Sequence, residues 1–209
     1  MKLKVISSPA FFEGEAKIIN QLFEAGMSCF HLRKSRPEKA AYLSLLRQIN
    51  PVYHDRIALH QFHEVAQDMG ISRLHFPEYL RPLAQDSIAV LHKDFTLSTS
   101  THKISQLTDL KYFNYTFYGP VFHSISKKGY LSTCQNDFRL PLNTPLQVIA
   151  LGGVSASRIE QLKAMNFEGA AILGCLWTRS DNALQTFQAI QEKCRAVAAV
   201  KTVNGYGND

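Results

Sequence analysis

From one end of the chain to the other, short apolar runs alternate with longer segments whose apolar residues recur every three or four positions. Leu3 to Ser8 reads as a first strand. Between Glu13 and Ala25, Ile18, Ile19, Leu22 and Phe23 share one face. That spacing predicts a helix, and Gly26 ends it as a residue that tolerates positive φ. Cys29 to Arg33 is the second strand. Pro37 is expected to open the next helix, where its missing N–H costs little, and Tyr42, Leu45, Leu46 and Ile49 form the buried stripe. Arg56 to His60 (strand), His63 to Met69 (short helix closed by Gly70) and Ser72 to Phe76 (strand) repeat the unit. Pro77 to Ser87, with two prolines, reads as a loop with one turn. Two apolar runs compete for the fifth strand, Ile88 to Leu91 and Phe95 to Ser100. The second is preferred because the helical pattern Ile104 to Leu110 follows it. Tyr112 to Tyr118 and Gln147 to Leu151 are strands six and seven. The helix Ser155 to Met165 has Ser155 as its expected cap and Glu160 in its first turns. Gly169 to Leu173 is strand eight, and Asn182 to Val200 the closing helix.

Eight strand–helix units in succession imply an all-parallel sheet, because each crossover carries a helix. The count fits an α/β, single-domain (β/α)8 barrel spanning residues 1–209 better than a doubly wound sheet. No early Gly-x-Gly-x-x-Gly run supports a dinucleotide fold. The length of 209 residues suits one well-buried core.

Composition narrows the function classes without choosing among them. With 45% apolar and 19% charged residues the chain is of ordinary globular type. No apolar run approaches the roughly 18–20 residues of a membrane span. The opening Met-Lys-Leu-Lys-Val-Ile-Ser-Ser runs into a strand without signal-peptide architecture, so a soluble, cytoplasmic protein with no membrane partner is expected. The net charge of +6 comes from scattered basic residues with no interleaved aromatics, which argues against nucleic acid. Cys29, Cys134, Cys175 and Cys194 form no Cys-x-x-Cys pair and read as structural thiols.

In such a barrel, chemistry sits on the loops at the strands' C-terminal ends. Strand six runs into Tyr118-Gly119-Pro120-Val121-Phe122-His123-Ser124-Ile125-Ser126-Lys127-Lys128-Gly129, a loop rich in hydroxyls and ammonium groups suited to a phosphorylated small molecule. Gly152-Gly153 after strand seven lets a phosphate approach backbone N–H groups, and Gly174 supplies a second glycine turn after strand eight. His31 and Arg33, His60 and Gln61, His75, and Ser100 and His102 stand at the other strand ends. The histidines of this rim are expected to hydrogen-bond within a polar layer rather than to hold a metal. His123, sharing a loop with Lys127, is the candidate acid/base.

Four of these segments, in order, resemble the thiamine-phosphate synthase and TenI-like (thiazole tautomerase) superfamily. His31-Leu32-Arg33 resembles its Gln-x-Arg segment, and Ser100-Thr101-His102 its Ser-Thr-His segment. Gly119-Pro120-Val121-Phe122 with Ser124, Ser126 and Lys127 is similar to its Gly-Pro-Ile/Val-Phe/Tyr-Pro-Thr-x-Thr-Lys signature. Ala150-Leu151-Gly152-Gly153-Val154 is similar to its phosphate loop.

The resemblance implies a ligand that is a phosphorylated thiazole or pyrimidine. Its phosphate would meet Gly152, Gly153 and Gly174, with Ser100, Ser124, Ser126 and Lys127 around it and Arg33 as an anion clamp. A synthase of this family couples hydroxymethylpyrimidine diphosphate to thiazole phosphate using Mg²⁺, which needs carboxylate oxygens. At the corresponding places this chain has Gln61 and, nearby, Glu78, so one carboxylate is missing. The tautomerase needs no metal, only an acid/base beside the phosphate site. Its histidine follows the strand-six glycine, where this chain has Pro120. The expectation is therefore a metal-independent, TenI-like tautomerase without cofactor, using His123 or His31. The alternatives are a Mg²⁺-dependent synthase and a barrel that binds thiamine phosphates without turnover. A homodimer is allowed for, although the sequence does not fix the oligomeric state.

Overall fold

The computed structural model describes residues 1–122 and 137–199. Among them, eight parallel strands close into one barrel in sequence order: β1 (Lys2–Ile6), β2 (Phe30–Leu32), β3 (Ile57–Leu59), β4 (Arg73–Phe76), β5 (Thr96–Thr101), β6 (Tyr115–Tyr118), β7 (Gln147–Leu151) and β8 (Gly169–Ile172). β8 returns to β1, with Lys2 beside Gly169 and Val5 beside Ile172, so no strand edge is left unpaired. The helices are α1 (Glu15–Glu24), α2 (Lys39–Gln48), α3 (Gln85–Leu91), α4 (Ile159–Ala164), α5 (Gly174–Trp177) and α6 (Ala183–Ala199). The (β/α)8 reading of the sequence holds. None of the described helices is long and apolar enough to cross a membrane.

The period-two alternation of side chains along each strand divides the core in two. Outward-facing Val5, Phe30, Leu32, Ile57, Leu59, Leu74, Leu97, Val148 and Ile172 pack against the helices. From α1, Ile19, Leu22 and Phe23 complete this layer, each burial stabilising by about 1.5–3 kcal/mol. Inward-facing Ile6, Tyr115, Phe117, Ile149 and Ala171 form a separate small cluster inside the barrel. It shares that interior with polar side chains that are nonetheless buried, among them Lys4, His31, His75 and Ser98.

Several local expectations need correction. The helical patterns after β3 and β5 are only 3₁₀ turns, His63–Val65 and Ile104–Asp109. Each buries a single side chain, Val65 or Leu107, too little apolar surface to sustain an α-helix. The Pro77-to-Ser87 loop holds 3₁₀ turns at Glu78–Leu80 and Pro82–Ala84 and then enters α3, so the Ile88-to-Leu91 run is helical. Pro37 lies ahead of the cap residue Glu38 rather than in the first turn of α2. Ser155 has extended backbone but makes no capping bond; its Oγ pairs with Ser157 Oγ at 3.0 Å, and a 3₁₀ turn, Ala156–Arg158, leads into α4. β6 begins only at Tyr115, because Phe113 N–H closes a turn onto the Leu110 carbonyl. The glycine stops do hold: Gly26 and Gly70 have φ of 92° and 65°.

Candidate functional site

A cavity of about 340 Å³ opens at the C-terminal ends of the strands. Arg33, Ser100, Gly152, Gly153 and Gly174, five of the residues singled out from sequence, line it together. His60, His75, His102 and Gly119 also line it, and Ile6, Phe117 and Ala171 are its apolar part.

The glycine side of the cavity is built by close backbone approach. Gly152 and Gly153 both have positive φ, 101° and 63°. A Cβ on Gly152 would stand 2.8 Å from Pro120 Cα, and one on Gly119 would stand 2.0 Å from the Leu151 carbonyl oxygen. Val121 N–H donates to that same carbonyl (2.9 Å), and Phe122 N–H donates to Gly152 O (3.2 Å). The ends of β6 and β7 are thus sewn together, and only glycine fits the seam. We expect Gly152→Ala to destabilise the fold by about 1–3 kcal/mol, as checked by thermal shift.

Arg33 is exposed, and its backbone is fixed by reciprocal bonds: its N–H donates to Ser7 Oγ (2.9 Å), and Ser7 Oγ–H donates to its carbonyl (2.6 Å). Gln61 faces away from the cavity. Its amide bridges the Lys34 backbone, donating to the carbonyl (3.0 Å) and accepting from the N–H (3.2 Å).

His102 stands at the rim with its tautomer set, since Nδ1–H donates to the Gly119 carbonyl. Its Nε2 lies 3.9 Å from Glu78 Oε2, and the same carboxylate lies 3.4 Å from Arg81 Nη2. Glu78 thus already faces the Arg81 guanidinium and the His102 ring.

At the inner end of the cavity three histidines meet. His31 is fully buried; its Nδ1 is hydrogen-bonded to His60 Nε2 (3.0 Å) and its Nε2 to Tyr115 Oη (2.9 Å). His75 Nδ1–H donates to Ser98 Oγ (3.0 Å), which itself donates to the Leu74 carbonyl (3.3 Å). The His60 and His75 rings stack with centroids 3.9 Å apart. Burial first, and neighbouring cationic groups second, hold His31 and His60 well below the usual imidazole range and bring His75 down to about 3. All three rings are neutral at physiological pH. His31 does not line the cavity; it supports His60, which does. The strand-end histidines do hydrogen-bond within a polar layer, as their sequence positions suggest; that the layer lies inside the barrel follows from parity, with His31, His75, Ser98 and Tyr115 all facing inward on their strands.

His123, Ser124, Ser126 and Lys127 lie outside the described residues. Among the described residues, the Mg²⁺ implied by the resemblance finds no fitting ligand set at the cavity. Among the described residues no carboxylate lines the cavity, and residues 123–136 contain neither Asp nor Glu. Cys175 lines the cavity as well, and burial raises its thiol pKa.

The family model described as thiamine monophosphate synthase matches residues 3–176. A thiamine-phosphate synthase of Latilactobacillus sakei is 23% identical over 195 residues, covering 84% of this chain and 83% of that protein. One of Staphylococcus epidermidis is 23% identical over 176 residues, covering 79% and 82%. Among solved structures, thiamine phosphate pyrophosphorylase from Bacteroides thetaiotaomicron superposes with a TM-score of 0.71 at 22% identity, covering 93% of this chain and 98% of that one. The Pyrococcus furiosus thiamine phosphate pyrophosphorylase gives 0.72 at 11% identity, covering 94% and 96%.

Proposed function

The chain belongs to the thiamine monophosphate synthase family, and from that premise we propose that it binds a phosphorylated thiazole and moves a proton on it, in the manner of the TenI-like tautomerases. One observation supports this reading: the cavity joins the glycine turns at Gly152, Gly153 and Gly174 to histidines and has no carboxylate lining it among the described residues.

The phosphate would be held by backbone N–H groups of the Gly152–Gly153 turn and near Gly174, with Arg33 as countercharge and Ser100 beside it. Ser124, Ser126 and Lys127 belong to the same proposed shell. His102 is the proton carrier among the described residues. With Nδ1–H committed to Gly119 O, Nε2 keeps its lone pair and takes a proton from the bound heterocycle. The imidazolium so formed stands 3.9 Å from the Glu78 carboxylate, which stabilises it until the proton returns to another atom of the same ring system. No net charge is transferred and nothing leaves, so no metal is asked to neutralise a departing diphosphate. His123 is the second candidate for this role. His31, away from the cavity surface, is assigned to holding His60 in place.

The test is a tautomerase assay on thiazole phosphate carboxylate with and without EDTA. Turnover should persist in EDTA, and His102→Ala should lower kcat by about 10²–10⁴-fold with KM little changed. A second reading, favoured by the names of the relatives, is the Mg²⁺-dependent synthase. Thiamine phosphate production from both synthase substrates and Mg²⁺, with no tautomerase turnover, decides for it. Thermal stabilisation by thiazole phosphate with neither activity decides for a binding protein.

A further inference from the structure

We propose that His31, His60 and His75 form a binding site for one divalent d-block ion of the Zn²⁺, Co²⁺ or Fe²⁺ class at the inner end of the cavity. One ring nitrogen from each lies within 4.8 Å of the other two, and all three side chains are buried. Ligands of a tetrahedral zinc centre with Zn–N of about 2.0–2.1 Å stand roughly 3.3 Å from each other. His31 Nδ1 and His60 Nε2, at 3.0 Å, are near that separation already. The third ring has to close at most about 1.5 Å, from within 4.8 Å to the roughly 3.3 Å of a tetrahedral site.

The surroundings match what an imidazole site requires. Metal-bound histidines are oriented by a hydrogen bond from the ring's other nitrogen. Here Tyr115 Oη takes that position on His31 Nε2 (2.9 Å), and Ser98 Oγ takes it on His75 Nδ1 (3.0 Å). Those two contacts commit the opposite ring nitrogens and so assign His31 Nδ1 and His75 Nε2 as the ligating atoms. The His31–His60 hydrogen bond holds one proton between two of the ligating nitrogens, and metal binding moves it to the other nitrogen of the same ring, which leaves both lone pairs for the ion. His60 and His75 line the cavity, which gives an ion a path in and leaves a fourth position facing the ligand space. Three nitrogens with no carboxylate select against Mg²⁺ and Ca²⁺, which take oxygen. Opposing the ion are Lys4, whose ammonium sits 3.8 Å from the Tyr115 ring centroid, and Arg33 at the cavity wall. An anionic group at the fourth position offsets them.

This site is separate from the proposed tautomerase chemistry, which uses His102, and its test needs no turnover. Metal-stripped protein is titrated with Co²⁺ alone and followed by visible absorption. The expected result is the intense d–d bands of four-coordinate Co²⁺, saturating at one equivalent and erased by Zn²⁺. His60→Ala should remove the bands, and His92→Ala, at a half-buried histidine packed on Tyr112 away from the trio, should leave them. Should His60→Ala fold poorly, His75→Asn and the Zn²⁺-induced rise in the melting temperature of the unmutated protein replace it. Absence of bands and of any Zn²⁺-induced rise, or bands that survive both trio variants, overturns the proposal and leaves the trio a hydrogen-bonded core layer.

Discussion

Metal-free protein is expected to lose most of its stability between about pH 6.5 and pH 4.5, a decline that begins about two units above the range in which surface carboxylates protonate. In the unfolded chain the histidines titrate near 6.5. In the folded barrel, burial holds His31 and His60 well below that value, lowers His63, and places His75 at about 3. Below pH 6.5 the unfolded state therefore binds more protons than the folded one, and stability falls as pH falls. The contribution is fully present above pH 6.5 and is lost progressively down to the folded pKa. No carboxylate among the described residues is positioned to shelter an imidazolium at the trio. The groups facing it are Lys4, Arg33, Arg73, His63 and Tyr115, and all but Tyr115 are cationic or become so.

Each buried histidine costs up to about 1.4 kcal/mol per pH unit in this window. Three of them over two units approach the roughly 5–15 kcal/mol that a domain has in total. Urea midpoints at pH 7.5, 6.5, 5.5 and 4.5, with EDTA present, give the measurement. A flat profile would sink the account, and a His75→Gln variant should show a shallower decline than the unmutated protein.

The same trio shows where sequence reading stops. The barrel was legible because its evidence is local. Apolar runs such as Gln147 to Leu151 and Gly169 to Leu173 need only their own residues to be read, and glycines at 26 and 70 mark the stops unaided. Arg33, Ser100, Gly152, Gly153 and Gly174 were legible as a group because the strand-end rule converts order along the chain into proximity. What strand ends do not reveal is which face of a three-residue strand looks inward. For His31 in β2 that depends on its register beside Ile6 and Ala58, set by partners at distant sequence positions. Glu78 was equally opaque. As a lone acid near a family carboxylate position it invites a metal, yet the 3₁₀ turn it starts carries Arg81 back to it, and His102 arrives from β5. Gln61, too, turns from the cavity to tie down the Lys34 backbone, a contact no linear pattern encodes.

Lys34 is the origin of the second large effect, since its ammonium and the Glu15 carboxylate form an ion pair with side chains 0% and 1% exposed. Lys34 Nζ reaches both carboxylate oxygens, at 2.5 and 2.7 Å, and also donates to the Ser8 and Ala10 carbonyls. Burial pushes the Glu15 pKa up and the Lys34 pKa down, and their mutual bonds are the main influence offsetting that drift toward neutrality. A pair so placed gains little over a hydrophobic replacement, but losing one member strands the other's charge. Glu15→Ala is accordingly expected to destabilise the protein by about 3–5 kcal/mol. The double variant Glu15→Leu/Lys34→Met should recover most of that loss, and a double variant no more stable than Glu15→Ala would refute the stranded-charge account. The functional consequence follows from position. Lys34 fastens the loop after β1 to the end of β2, and its neighbour Arg33 is the cavity's guanidinium. Glu15→Ala should therefore also weaken phosphate-ester binding, measured by calorimetry below its melting temperature, even though Glu15 lies outside the cavity lining.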